Sequence, residues 1–355
     1  MKGLILAGGS GRRLRPLTYS GAKQLLPVAN KPIIFYGIEA LAKAGITELG
    51  IVVGETAKEI RETVGEGDKW GVSITYIPQE APLGLAHAIK ISKQFLGKEP
   101  FIMYLGDNIL KDGIEDFIEQ FKDKKPNALI LLTEVTNPQE FGVAVVDESG
   151  AVKKLIEKPK IAPSNLALVG VYLFDAIVFT AIEHIKPSER NELEITDAIQ
   201  WLLDNEYKIE AHMVKGWWKD TGKPDDIIEA NLLVLEDIEA INEGSQLASE
   251  IKGKVRAGKG SIIEKTVVRG PAIIGDNARI VNSYIGPFSA IGDNAVIENS
   301  EIENSVIMEG AQIRNVEKRI DRSIVGKNVV INVTTKSPRT HKFILGDQSY
   351  VQIIK

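Results

Sequence analysis

Cysteine is absent from all 355 residues, which excludes disulfides, thiolate nucleophiles and cysteine-based metal sites. Histidine is nearly as scarce. His87, His184, His212 and His341 are the full set, and their spacing leaves no HExxH pair or other histidine-rich metal cluster. No apolar run approaches the length of a membrane span. The N-terminus enters an apolar stretch with only Lys2 ahead of it and no cleavage site after it, so no signal peptide is expected and the cytoplasm is the expected compartment. Basic charge is also lacking overall: the net charge of -5 gives no field that would draw nucleic acid, so neither nucleic acid nor membrane is an expected partner. What is present is a hydrophobic content of 44%, which suits a globular protein, in a chain too long for one typical core. Two domains are expected.

The two halves follow different patterns. Over residues 1–240, short β-like runs alternate with helical stretches. GLILA (3–7), ELGIVVG (48–54), SITYIP (73–78), PFIMYLG (100–106), ALILLTEV (128–135) and LVGVYLF (168–174) read as strands. PIIFYGIEALAKAG (32–45) reads as a helix, with Ile34, Ile38, Leu41 and Ala42 on one face, Pro32 in its first turn and Gly45 at its stop. Such alternation implies an α/β fold, a Rossmann-like mainly parallel sheet covered on both faces, with ligands beyond the C-terminal strand ends. From 241 to 355 a polar connector (241–261) leads into a short repeat. Val268, Ile274, Ile280, Ile285, Ile291, Ile297, Ile302, Ile307 and Ile313 recur every five or six residues, often followed by Gly, Asp or Asn. That period fits a hexapeptide parallel β-helix. The pattern resumes near Ile324, Val329 and Ile331, giving roughly four coils at three hexapeptides each.

Directly after the first apolar run stands LAGGSGRRLRPLT (6–18). A dinucleotide fingerprint needs a third glycine where Leu14 stands, and Pro16 follows soon after; the Walker pattern is absent too. Three glycines, Gly8, Gly9 and Gly11, nonetheless let backbone N–H groups turn toward a phosphate chain. Arg13, Arg15 and Lys23 supply the charge that several phosphates require, with Arg12 and Arg15 ranked below Arg13.

With KQLLP (23–27), this loop resembles the signature of the sugar-nucleotidyltransferases. The likeness continues through PQEAPLGLAHA (78–88), LGDNIL (105–110), FGVAVVD (141–147), EKP (157–159), SNLALVGVYLFD (164–175), PSERNELEITD (187–197) and WWKDTG (217–222). It is nearest to the long-form branch with an appended left-handed β-helix, acting on dTTP and glucose 1-phosphate. The resemblance implies Mg²⁺-dependent in-line attack of a sugar-phosphate oxygen on the α-phosphorus, giving dTDP-glucose and pyrophosphate. No covalent enzyme intermediate is needed.

The same resemblance implies roles for particular residues. Arg13, Lys23 and Lys158 would be catalytic, with Lys23 near the α-phosphate. Leu6, Gly8, Gly9, Gly11, Gln24, Gln79 and Gly84 would bind the nucleotide, Gln79 and Gly84 at the base. Asn108, Gly142, Glu157, Lys158, Leu168 (through its backbone) and Arg190 would hold the sugar phosphate. Asp107 and Asp220 would hold Mg²⁺, a hard ion that prefers carboxylate and phosphate oxygens; Asp220 could instead cap the helix expected from Pro224. The sequence departs from the family pattern around Gly84, where Leu83 and His87 replace an aspartate and a glutamine; His87 itself reads as a helix residue. Residues 245–332 hold no histidine, which argues against an acyl-transfer site there and for a role in assembly as a homo-oligomer. Transfer from UTP or GTP is the alternative reaction. A non-catalytic regulatory subunit of the same fold is the alternative from another class.

Overall fold

Continuous aliphatic runs can only be buried on both faces, and four of them form the parallel centre of a sheet. In the computed structural model, which describes residues 1–334, 343 and 345–353, these are Lys2–Ala7 (β1), Glu48–Val53 (β2), Ser73–Pro78 (β3) and Phe101–Leu105 (β4). They lie in the order β4-β1-β2-β3. The period-2 alternation of a strand divides them between two cores. Leu4, Leu6, Val52 and Met103 pack into one, and Ile5, Ala7, Val53 and Tyr104 into the other.

Next along the chain come Asn108–Leu110 (β5), Ala128–Glu134 (β6), Gly142–Val146 (β7), Val152–Glu157 (β8), Leu166–Phe174 (β9), Ile209–Met213 (β10) and Trp218–Asp220 (β11). β9 runs antiparallel beside β4, with the β7–β8 hairpin beyond it; β6 pairs with β9 and β10. β5 and β11 form a separate two-stranded ribbon. The expected α/β sheet is therefore mixed: parallel in the middle and antiparallel where β9 joins. Helix α1 (Ile33–Lys43) buries Ile34, Ile38 and Leu41 fully and Ala42 partly. It begins one residue after Pro32, which is instead paired with Pro27 in a short ribbon.

By packing, the chain divides into two units. The first comprises Met1–Ser10, Gly21–Leu25 and Ile33–Asp220; the second comprises Gly11–Ser20, Leu26–Pro32 and Thr221–Lys355. The division falls earlier than residue 240, where the sequence pattern changes. The physical reason is the helix Pro224–Glu236, whose buried Asn231 donates to Phe288 O at 2.9 Å and accepts from Ala29 N at 3.0 Å, all within the second unit.

The repeat forms three parallel sheets of six, six and five strands, the left-handed β-helix expected. Ile263 stacks on Ile280 and Ile280 on Ile297, so one coil advances 17 residues, as the 17-residue spacing of the corner bond from Asp276 N to Asp293 Oδ1 also shows. All nine recurring aliphatics from Val268 to Ile313 lie in its core. The stack is taller than the four coils expected, because the segment read as a connector already contains strands. Ser245–Leu247 and Glu250–Lys252 pair in register with the coil above them. They are polar because a terminal coil has a neighbour on one side only. At the other end Val325, rather than Ile324, points inward, and Val329 is exposed. Asn282, Asn299 and Asn315 occupy left-handed corners and form a side-chain ladder at 2.7–3.3 Å that continues to Asn332. Asparagine is among the residues that tolerate that backbone best. Residues beyond 334, His341 among them, fall largely outside the described part of the chain.

Candidate active site

In a parallel sheet all strands end on one edge, and here each ends on a residue with no bulk or with a polar head. β1 runs into Gly8, β2 into Gly54, β3 into Gln79 and β4 into Gly106 and Asp107. These ends touch. A Cβ on Gly8 would stand 2.8 Å from Gln79 Oε1, and one on Gly9 would stand 3.0 Å from Lys23 Cε. The Lys23 ammonium is in turn ion-paired with Asp107 Oδ2. Only 18% of the Lys23 side chain and 12% of that of Asp107 are accessible, so the pair is a partly desolvated one. Burial alone would push the Asp107 carboxyl up, but the Lys23 charge and hydrogen bond, with Asn108, hold it below the usual carboxylate range.

Asn108 ties this corner to the rest. It is 1% exposed, its Nδ2 donates to Asp107 Oδ1 at 3.2 Å, and its Oδ1 accepts from Trp218 Nε1 at 2.6 Å. A Cβ on Gly170 of β9 would stand 2.5 Å from that same Oδ1. Cross-strand pairing sets Asp220 opposite Asn108, the residue that follows Asp107 in the chain. The helix that follows is capped at Lys223, whose N donates to the side chain of Asp226 at 2.9 Å in a capping box.

A second cluster lies along β7, β8 and β9. A Cβ on Gly142 would stand 2.7 Å from Thr196 Cγ2, 3.0 Å from Glu157 Oε2 and 3.6 Å from Leu168 Cδ1. Leu168 and Gly170 are two residues apart on β9, so they face the same side as the Asn108 corner. Glu157 accepts from Thr196 Oγ1 at 3.2 Å and from Arg190 at 3.1 Å. Burial raises its pKa, with Lys158 pulling down and Glu194 pushing up. Lys158 is exposed, has φ 39°, and sits 3.8 Å from Glu157. A non-glycine residue in that region is held there by its surroundings. Here Lys158 N donates to Phe141 O at 3.1 Å.

Arg190, expected to hold the sugar phosphate, is surrounded by carboxylates. Its guanidinium is clamped by the buried Glu194 at 2.8–3.2 Å and also meets Glu157 and Glu192. Its charge is therefore largely neutralised in place. At Gly84 φ is 101°, and a Cβ would stand 2.3 Å from Leu193 O. Its glycine is required by this backbone crossing, which links the Gln79 loop to the Arg190 loop through Ala86 N to Leu193 O at 3.1 Å. Leu6 is a core residue whose carbonyl accepts from Gly106 N at 3.0 Å. Gln24 is 1% exposed, and its Oε1 has no hydrogen-bond partner among the described residues. Gly11 and Arg13 belong to the other unit. There Gly11 adopts a left-handed turn (φ 62°), its carbonyl accepts from Thr18 Oγ1 at 2.8 Å, and Arg12 and Arg13 are exposed while Arg15 stacks over Tyr19 at 4.8 Å.

Sequence reasoning missed Trp218, Gly170, Thr196 and Glu194 as members of these clusters. Of these only Gly170 carried a signal, as an isolated glycine inside a strand run.

Comparison with known proteins follows from this geometry. The profile of the nucleotidyl transferase family matches residues 2–237. The chain is 49% identical over 355 residues to a glucose-1-phosphate thymidylyltransferase of Streptomyces antibioticus, with 99% of each covered. It is 48% identical to the low-salt glycan biosynthesis nucleotidyltransferase of Haloferax volcanii, covering 99% of this chain and 100% of that one. Among solved structures, a Bacillus anthracis protein assigned as a glucose-1-phosphate thymidylyltransferase, determined with sucrose, superposes with a TM-score of 0.63 at 38% identity. It covers 68% of this chain and 98% of its own.

Proposed function

The chain belongs to the nucleotidyl transferase family, and we propose that it transfers the thymidylyl group of dTTP to α-D-glucose 1-phosphate, releasing pyrophosphate and forming dTDP-glucose. The observation that carries this reading is the Lys23–Asp107 pair packed against Gly9, with Asp220 paired across the β5–β11 ribbon to Asn108, the next residue after Asp107. A sugar-phosphate oxygen forms the new bond to the α-phosphorus while the α–β phosphoanhydride bond breaks and pyrophosphate leaves. Two anions must meet for this, so alignment and charge stabilisation carry the rate.

Lys23 does that work first. Its stem lies along the glycine loop, so an α-phosphate on the loop amides shares the ammonium with Asp107. Gln24 offers a buried amide oxygen that lacks a partner among the described residues, a deficit of about 1–3 kcal/mol that a nucleoside hydroxyl or N–H would relieve. Gln79 faces the base, and Lys158, Asn108 and Glu157 face the sugar phosphate, with Arg190 holding Glu157 and Glu194 in register. Enzymes of this family are in general metal-dependent. The residues here fit a hard divalent ion: Asp107 is a buried carboxylate already matched to a cation, and Asp220 adds a second oxygen donor. No third carboxylate or imidazole converges on them among the described residues, so phosphate oxygens and water would complete the shell. We assign Mg²⁺ to this pair. When bound, it neutralises charge on the transferring phosphoryl group. No helix among the described residues is long and apolar enough to cross a membrane, and the substrates proposed are water-soluble anions of the cytoplasm.

The reaction class is tested with dTTP labelled at its α-phosphate. The label is expected in the nucleotide sugar and nowhere on the protein, while label placed at the γ-phosphate emerges in pyrophosphate. Label retained covalently on the protein, or released as free thymidine monophosphate in step with pyrophosphate, would sink direct transfer.

A further inference from the structure

His87 stands where the sequence departs from the family pattern, and its surroundings give it a function. It lies on the helix Leu85–Ile91, and its Nδ1 is 3.1 Å from Gln79 Nε2. Either atom of this contact could in principle be the donor. Gly84 O resolves the ambiguity, because Gln79 Nε2 also approaches it at 3.4 Å, and a carbonyl oxygen only accepts. The amide nitrogen of Gln79 is therefore on the His87 side. Nδ1 must accept, and the imidazole proton resides on Nε2. Burial, with the nearby Lys90 charge, holds His87 below its usual pKa, in keeping with a neutral ring.

The consequence falls at the other end of the amide. With Nε2 held, Gln79 Oε1 points at Gly8 and accepts no hydrogen bond among the described residues. A side-chain amide left to itself can present either end to a ligand. This one can present only its acceptor.

We propose that His87 is a specificity-determining positioning residue, fixing the Gln79 amide so that its oxygen meets a base carrying a ring N–H donor; this rests on Gln79 reading the base as proposed above. Thymine and uracil carry such a donor at N3. Cytosine presents a bare ring nitrogen there, which would meet the oxygen lone pair to lone pair. His87 thus selects thymine and uracil over cytosine without touching the base.

The test is the ratio of kcat/KM for dTTP to that for dCTP, with glucose 1-phosphate as acceptor. A ratio cancels any loss of folded protein, since both substrates see the same active fraction. His87→Leu removes the acceptor and frees the amide, so the ratio is expected to fall about tenfold or more, the worth of one hydrogen bond made or opposed. His87→Asn places an amide oxygen near the position of Nδ1 and is expected to restore most of it. Gln79→Leu should abolish the preference whatever stands at 87. If wild type and Gln79→Leu discriminate equally, base reading by Gln79 fails and this proposal falls with it. If Gln79→Leu loses the preference while His87→Leu keeps it, Gln79 reads the base unaided and the role of His87 alone is overturned.

Discussion

Replacing Lys23 by methionine lowers kcat by about 10²–10³-fold, the loss typical of one preorganised donor to a developing anion, while the KM for the triphosphate changes far less. The expectation follows from where the side chain runs. Its stem packs along Gly9, and its ammonium closes on Asp107. Methionine keeps the stem and deletes the charge, so the loop stays supported while the α-phosphate loses its cation. Stability must be followed in parallel, because the variant takes the cationic partner from a carboxylate that is only 12% accessible. Breaking a buried pair costs about 3–5 kcal/mol, and the partial exposure here places the cost near the lower end. A second variant separates the effects. Lys23→Met combined with Asp107→Asn removes both charges, so it should recover much of the urea midpoint and none of the activity. A loss of kcat in Lys23→Met that vanished once turnover was corrected for the folded fraction would mean that Lys23 serves the fold and not the chemistry.

Asp107→Asn gives the other large effect, a comparable loss of kcat together with loss of the response to added Mg²⁺. The single variant leaves Lys23 beside a neutral amide and removes one of the two carboxylates assigned to the metal. Asp220→Asn should weaken the Mg²⁺ dependence without disturbing the Lys23–Asp107 pair. The pH behaviour follows from the sign of the Asp107 shift. Its folded-state pKa is depressed, so its contribution to stability is complete above the ordinary carboxylate range. That contribution is lost as pH falls through the depressed value. The stability gap between wild type and Asp107→Asn, read from urea melts, should therefore be widest near neutrality and close in acid. A gap that widened on acidification would contradict the pairing.

The strands that build this site were legible because they are continuous aliphatic runs ending in glycine or a polar residue. GLILA and PFIMYLG place Gly8 and Asp107 at one edge without further information. The repeat was legible too, since an aliphatic residue at a five- or six-residue step followed by a small or polar turn residue fits one strand per hexapeptide. Its first coil was not, because residues 245–247 and 250–252 stack on one neighbour only and are mostly exposed and polar. The ribbon that brings Asp220 to Asn108 was also invisible. It joins two three-residue strands more than a hundred positions apart in the chain, and such short strands carry no period. The acidic partners of Arg190 were not legible: Glu192 and Glu194 sit in the same motif, but their convergence on one guanidinium depends on the fold of the loop. Gly84 shows the converse. The motif identified a glycine, and the crossing with Leu193 supplies its physical need.

The central claim is that this edge of the sheet joins a pyrimidine nucleoside triphosphate to a sugar 1-phosphate. It is tested most directly by following pyrophosphate release with glucose 1-phosphate against dTTP, UTP, GTP and ATP in turn. The account predicts turnover with dTTP first and UTP second, separated by no more than the 1–3 kcal/mol or so that one methyl group provides, and little with either purine. GTP or ATP outrunning both pyrimidines, or no release from any triphosphate with any sugar 1-phosphate, would contradict it.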